Sequence, residues 1–143
     1  MRTPTLVLIL LVSFMSLTDA QPEMQTQPQL NLMPMPQSVR LSAGQLVITQ
    51  SFSVGFTGEK DARVQAAAGR FLQRLSRQTA IPLATHPGDG ASASLVIAVE
   101  HASKDYPELG EDESYNLQVS PSGGHIIAPT TLGAMHALQT FLQ

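Results

Sequence analysis

The sequence predicts an α+β domain: a mixed, mostly antiparallel β-sheet with two amphipathic helices packed on one face. Three observations carry this expectation. Apolar and polar residues alternate with period two through much of residues 38–56 and again over 115–119, with a continuous apolar run at 94–99 between them. Residues 61–79 and 131–142 switch to the helical period. Each helical stretch is apolar on one side only, so both can lie on the same face of one sheet. The 143 residues suffice for one ordinary domain, and they exclude a complete eight-stranded α/β barrel enzyme, which needs roughly 250. With no cysteine, no disulfide can form, and stability must come from a packed core. The formal net charge is −3, and the basic residues form no block of the kind nucleic-acid binding needs.

The hydrophobic share of 43% is inflated by one N-terminal segment. Arg2 precedes an apolar run over residues 6–12, extended by Phe14, Met15 and Leu17. It falls far short of the roughly 20 apolar residues of a membrane-spanning helix, and Thr18-Asp19-Ala20 supplies a small residue before Gln21. Residues 1–20 read as a secretory signal peptide, so the chain is expected to be exported to the periplasm or the medium, with no membrane attachment after cleavage. Residues 21–30, rich in Gln and Pro, read as a flexible leader.

The domain proper is expected over residues 31–143. Pro34 and Pro36 fix an extended piece that cannot sit inside a sheet, with Leu32 and Met35 tucked against a surface. Val39 and Leu41, then Leu46, Val47 and Ile48, then Phe52, Val54 and Phe56 read as short strands separated by turns at Ala43-Gly44 and ended by Thr57-Gly58. In the helix over 61–79, Val64, Ala68, Phe71 and Leu75 form the apolar stripe, and Arg63, Arg70, Arg74 and Arg77 lie on the other side. Asp61 at its start and the arginines at its end suit the helix dipole, and Pro82 stops any continuation.

His86-Pro87-Gly88-Asp89-Gly90 is turn chemistry. The continuous apolar run over 94–99 reads as a central strand covered on both faces. Acidic residues 100–113 read as a solvated loop. Tyr115, Leu117 and Val119 begin a hairpin that turns at Pro121-Ser122-Gly123-Gly124 and returns through Ile126 and Ile127. Thr130 or Thr131 caps the last helix, in which Leu132, Met135, Leu138 and Leu142 recur at helical spacing beside Phe141. The expected order is β-β-α-β-β-β-α with five or six strands. The last helix stops at Gln143 without a C-cap glycine, a basic last turn or a proline, which reads as an imposed end. Leu138, Phe141 and Leu142, near that end, are expected to be less covered here than a complete protein would leave them.

No catalytic, cofactor-binding or metal-ligating residue emerges from the chemistry. His86, His101, His125 and His136 have no second ligand at metal spacing; His125 and His136 come nearest. No cysteine nucleophile is present, and no serine lies in a G-x-S-x-G elbow. Glu111, Asp112 and Glu113 could be tested as the carboxylate pair of a glycosidase. Neighbours on an extended chain point to opposite faces, so they read as a hydrated loop. The pairs Gly88 with Gly90 and Gly123 with Gly124 do not form a phosphate cradle, and no tryptophan offers a sugar platform.

Three segments together carry a resemblance: Leu32-Met33-Pro34-Met35-Pro36-Gln37, Glu113-Ser114-Tyr115-Asn116-Leu117-Gln118-Val119, and Gly133-Ala134-Met135-His136-Ala137-Leu138-Gln139-Thr140-Phe141-Leu142-Gln143. In this order they resemble the N-terminal, non-catalytic domain of bacterial β-N-acetylhexosaminidases of glycoside hydrolase family 20. That family shows a P-x-P-Q opening, a glutamate-x-tyrosine-x-leucine strand and a glycine-led helix ending in L-Q-T-L-x-Q. Ala137 departs from the glycine often found there. The resemblance implies a domain that precedes a catalytic barrel and is buttressed against it by its helices or sheet edge. It implies a substrate-assisted mechanism in that barrel, where a glutamic acid protonates the leaving oxygen and an aspartate orients the 2-acetamido group. None of those groups maps onto this chain, so no activity of its own is expected. The leading reading is an accessory domain of an exported hexosaminidase, present as a fragment; the alternative is a stand-alone secreted binding or scaffold module related to carbohydrates. Accessory domains of α-glucuronidases or O-glycan-processing hydrolases share the implied fold but fit the P-x-P-Q opening less well.

Overall fold

The computed structural model describes residues 30–90 and 92–143. The signal peptide expected at residues 1–20 and the leader expected at 21–30, up to residue 29, lie outside the described residues. Residues Asn31–Gln143 make one contact unit. In chain order it contains β1 (Val54–Gly58), α1 (Ala62–Thr79), β2 (Gly88–Asp89), β3 (Leu95–His101), β4 (Asn116–Ser120), β5 (Gly123–Thr130) and α2 (Thr131–Phe141). The strands form one five-stranded sheet in the order β2-β1-β3-β5-β4.

The α+β class and the two helices on one face hold, but the sheet is mostly parallel rather than mostly antiparallel. β1 runs parallel to β2 and to β3, β3 runs parallel to β5, and the β4 with β5 hairpin is the antiparallel pair. Alternation along a strand marks which residues face the core and says nothing of direction. Direction comes from the connections. Helix α1 carries the chain back to the starting end of β1, so β3 must run parallel to it. Between β3 and β5 the chain reverses twice, and β5 rather than β4 takes the place beside β3.

Register explains the single core. Phe56, Ile97, Ile126 and Leu117 stand abreast across β1, β3, β5 and β4, with Val54, Leu95, Gly124 and Val119 in the next row. These rows face both helices. Helix α1 buries Val64, Ala68, Phe71, Leu72 and Leu75, the stripe its sequence predicts. Its N-cap is Asp61, and it ends at Ala80, whose φ of 57° is left-handed. Phe71 packs edge-on to Phe141 with ring centroids 5.4 Å apart, and Phe52 lies within 6.4 Å of both rings. Such pairs add about 0.5–1.5 kcal/mol beyond their area burial.

Several local expectations change. The strands expected around Val39 and around Leu46 do not form; residues 38–48 join no ladder, and Val39, Leu41 and Val47 stay exposed. Met35 is also exposed, while Leu32 is half-buried. The turn at 86–90 contains β2, a short outer strand. Gly123 and Gly124 open β5 instead of making the turn. In α2 the core face is Ala134, Ala137 and Leu138, with Leu132 and Met135 half-buried outside it. The reduced coverage expected at the chain end is overturned for Leu138 and Leu142, which are 1% and 8% exposed; Phe141 is partly buried against the core.

Small residues line α2 because it lies very close to its neighbours. A Cβ on Gly133 would stand 2.2 Å from the Ser114 carbonyl oxygen and 3.2 Å from Ala128 Cβ. An alanine gains up to about 1 kcal/mol of helix propensity over glycine, but overpacking against backbone costs about 1–3 kcal/mol. The clash should win. Gly133→Ala is expected to lower the urea midpoint of unfolding at an unchanged slope, and a raised midpoint would show that this contact does not constrain α2.

Candidate functional site

Because β1 and β5 run parallel to β3, α1 and α2 both begin at the same end of the sheet. One carboxylate joins them. Asp61 Oδ1 accepts the Val64 N–H at 2.9 Å, capping α1, and Oδ2 accepts the Thr131 hydroxyl of α2 at 2.8 Å. Arg63 pairs with Asp61 Oδ2 at 3.2 Å and donates to the carbonyls of Ser103 and Lys104, both at 2.6 Å. Ser103, buried, returns its hydroxyl as acceptor to the Leu132 N–H at 3.1 Å. Thr130 caps α2 by accepting the Gly133 N–H and donates to the Asp112 carbonyl. Burial pushes the Asp61 carboxyl up, but the Val64 amide, the Thr131 hydroxyl and the Arg63 guanidinium outweigh it and hold the pKa below the ordinary value. The carboxyl end of a parallel sheet with two helix starts is a common ligand position. Here the chain's own groups fill it.

The residues tested for chemistry are kept apart. Among the described residues no group of three His, Asp or Glu could hold a metal ion. His136 Nε2 lies 3.3 Å from Glu113 Oε2 rather than near His125, which stands in register with Val96 and Gln118 on the sheet's outer face. His101 lies 4.0 Å from Glu100, and His86 Nδ1 is 3.2 Å from the Thr85 hydroxyl. The acidic triplet diverges. Glu111 Oε1 accepts from the Lys104 N–H at 3.3 Å, Asp112 Oδ1 accepts from the Ser114 N–H at 2.8 Å, and Glu113 turns to His136. Bonds from the Ser114 side chain and amide hold the Asp112 carboxyl below its usual range. Three carboxylates tying a loop in three directions do not flank one substrate.

The outer side of the helix pair is the other candidate surface. Arg70, Arg74 and Arg77 lie exposed there with Gln139, and Arg74 reaches Gln139 across the two helices at 3.4 Å. A hollow of about 320 Å³ lies against Phe71 and Leu142, and one of about 130 Å³ against Ala67 and Met135. Neither helix carries an acidic residue in its first turn. The surface is basic with apolar floors.

Residues 32–143 match the family model described as beta-acetyl hexosaminidase like. The chain belongs to that family. It is an accessory, N-terminal type of domain within it. Among solved structures, the chitobiase of Flavobacterium johnsoniae is 38% identical with a TM-score of 0.73, over 80% of this chain and 18% of that one. The N-acetyl-β-hexosaminidase of Streptomyces plicatus, at 20% identity and a TM-score of 0.56 over 76% of this chain and 20% of that one, shares the fold. A chitooligosaccharidolytic β-N-acetylglucosaminidase of Ostrinia furnacalis is 35% identical over 92 residues, which are 60% of this chain and 15% of that protein. The chain thus spans less than a quarter of the length of these multidomain relatives. No helix among the described residues is long and apolar enough to cross a membrane.

In this hexosaminidase-like domain the Asp61 clasp is the feature that the sequence hides. Asp61 and Thr131 are 70 residues apart. Each reads separately as a helix-start residue, and only the parallel sheet brings them together. The folded-state pKa of Asp61 lies below its unfolded value, so its stabilisation is present above the ordinary carboxylate range and is lost as pH falls through the folded pKa. Asn keeps a capping oxygen but not the charge that holds Arg63. Asp61→Asn should therefore cost about 1–2 kcal/mol at pH 7, with the deficit shrinking towards pH 3. Urea midpoints of both proteins across that range check this; a deficit independent of pH would rule out the carboxylate as its source.

Proposed function

We propose that this chain serves as the accessory domain of an exported β-N-acetylhexosaminidase, supporting a catalytic domain through the outer face of α1 and α2. One observation carries the reading: the family match runs along the whole domain, while the chain spans only 15–20% of relatives whose names describe glycosidases. In those names the activity is removal of N-acetylglucosamine or N-acetylhexosamine units. On this reading the chemistry belongs to the remaining length, and this chain contributes a rigid, basic platform. The three arginines Arg70, Arg74 and Arg77 call for an acidic counterpart on the catalytic domain, with Met135 and Leu142 as the apolar floor of the contact. Export rests on the signal-like pattern of residues 1–20.

Two measurements test this. The purified chain should show no turnover of a chromogenic N-acetylglucosaminide; turnover that copurifies in proportion to the chain would overturn the non-catalytic role. In a chimera, residues 31–143 replace the matching part of the Flavobacterium johnsoniae chitobiase. There, Arg70→Glu with Arg74→Glu should lower the melting temperature and activity retention of the enzyme, while leaving the melting of the 143-residue chain alone nearly unchanged. Equal melting of both chimeras would remove the helix face from the proposed contact.

A further inference from the structure

The period-two pattern at residues 38–42 predicts a strand, yet these residues form no ladder. They run beside β4, the outermost strand of the sheet, whose hydrogen-bonded partner is β5 on its inner side. The near end of the segment, Ser38, Val39 and Arg40, faces Tyr115 and Leu117 across a hollow of about 440 Å³. The far end touches the turn after β4. A Cβ on Gly44 would stand 2.5 Å from Pro121 Cγ, so the Gly44 backbone rests on that ring. The segment thus runs in the direction of β4 and rests on its far turn. No main-chain hydrogen bond crosses between them.

The chain just before the segment has a dedicated fastening at Met33. Gln143 Oε1 accepts the Met33 N–H at 2.7 Å, and its Nε2 donates to the Met33 carbonyl at 2.9 Å. A side-chain amide here pairs with both main-chain groups of one residue, as a neighbouring strand would. Beside it, the Tyr115 and Thr140 hydroxyls are joined at 2.6 Å, tying the start of β4 to the same turn of α2.

β4 needs such a cover. Its residues Asn116, Leu117, Gln118, Val119 and Ser120 include no charge and no proline, the usual protections of a free sheet edge. The opposite edge, β2, is two residues long and so limits itself. On β4, Leu117 and Val119 face the helix side, with Val119 45% exposed. Val39 and Leu41, 46% and 54% exposed, share one parity, and Arg40 has the other. A strand laid against β4 would place Val39 and Leu41 beside Leu117 and Val119 and leave Arg40 on the solvent face.

We propose that residues 38–41 close onto β4 as a sixth, parallel strand, and that Gln143 is the latch that holds the segment in position for it. Closure satisfies the outward main-chain groups of β4 and denies that edge to any other extended chain.

Amide hydrogen exchange of the full chain, followed residue by residue by NMR, tests the device. Alternate amides among residues 38–42 and 116–120 should exchange at least about tenfold more slowly than in Gln143→Ala. Gln143→Glu, which keeps the length but loses the donor to the Met33 carbonyl, should show the same loss. Leu41→Pro, which cannot continue a ladder, should remove the protection of β4 with Gln143 intact. Unchanged protection of β3 in each variant reports that the fold is retained. Free-peptide exchange at residues 38–42 in the unaltered chain would overturn the closure. Protection of β4 that ignores both Gln143 variants would overturn the latch.

Discussion

Two helices that start at the same end of a parallel sheet set their positive ends side by side, each equivalent to roughly half a charge. Neither helix carries an acidic residue in its first turn to offset this. The Asp61 carboxylate between them is what makes the arrangement tenable. Its two oxygens serve α1 and α2 at once, and the charge that remains holds Arg63, whose other donors close the loop after β3 onto Ser103 and Lys104. β1, β3 and β5 are the three long neighbours at the centre of the sheet, and the segment following each of them is fastened to this one group or to its immediate partners. The rest of the domain is built outward from a junction in which both oxygens of Asp61 are engaged by the chain's own donors.

What could be read from the sequence follows the range of the interactions. Helix α1 was legible to within a residue, because its cap, its stripe and its stop are all local: Asp61, the spacing from Val64 to Leu75, and Pro82. β3 was legible as a central strand because an uninterrupted apolar run needs cover on both sides, and Val96 on the outer face is indeed buried. Strand direction was not legible, since alternation is the same for parallel and antiparallel neighbours. The core face of α2 was misread for a different reason. Hydropathy favours Leu132 and Met135, but the helix approaches Ser114 so closely at Gly133 that its first turns face inward with small residues, Gly133, Ala134 and Ala137. Size decided where hydropathy could not.

The candidate sites were legible to a lesser degree. The sequence supplied no nucleophile or ligand set, and the dispersal of Glu111, Asp112 and Glu113 to three different partners fits their reading as loop residues. The Asp61 junction and the hollow at Tyr115 depend on contacts between distant segments, for which a single sequence carries no signal. Arg70, Arg74 and Arg77 were visible as a basic helix face, but their alignment with Gln139 and Met135 on α2 required the pairing of the helices.

The resemblance to hexosaminidases rested on three separated segments, and the fold explains why those three belong together. The proline segment, the entry to β4 and the last turns of α2 converge around one hollow. Each polar residue near the end of α2 reaches a different element: Gln139 to α1, Thr140 to Tyr115 at the start of β4, and Gln143 to Met33 in the proline segment. The segments that identify the family therefore describe packing and not chemistry. A domain whose most recognisable residues are spent on holding its own strap, sheet and helix together is suited to present a fixed surface. The polar residues that close α2 are engaged within the domain, and what it offers a neighbour is the shape and charge of the helix face.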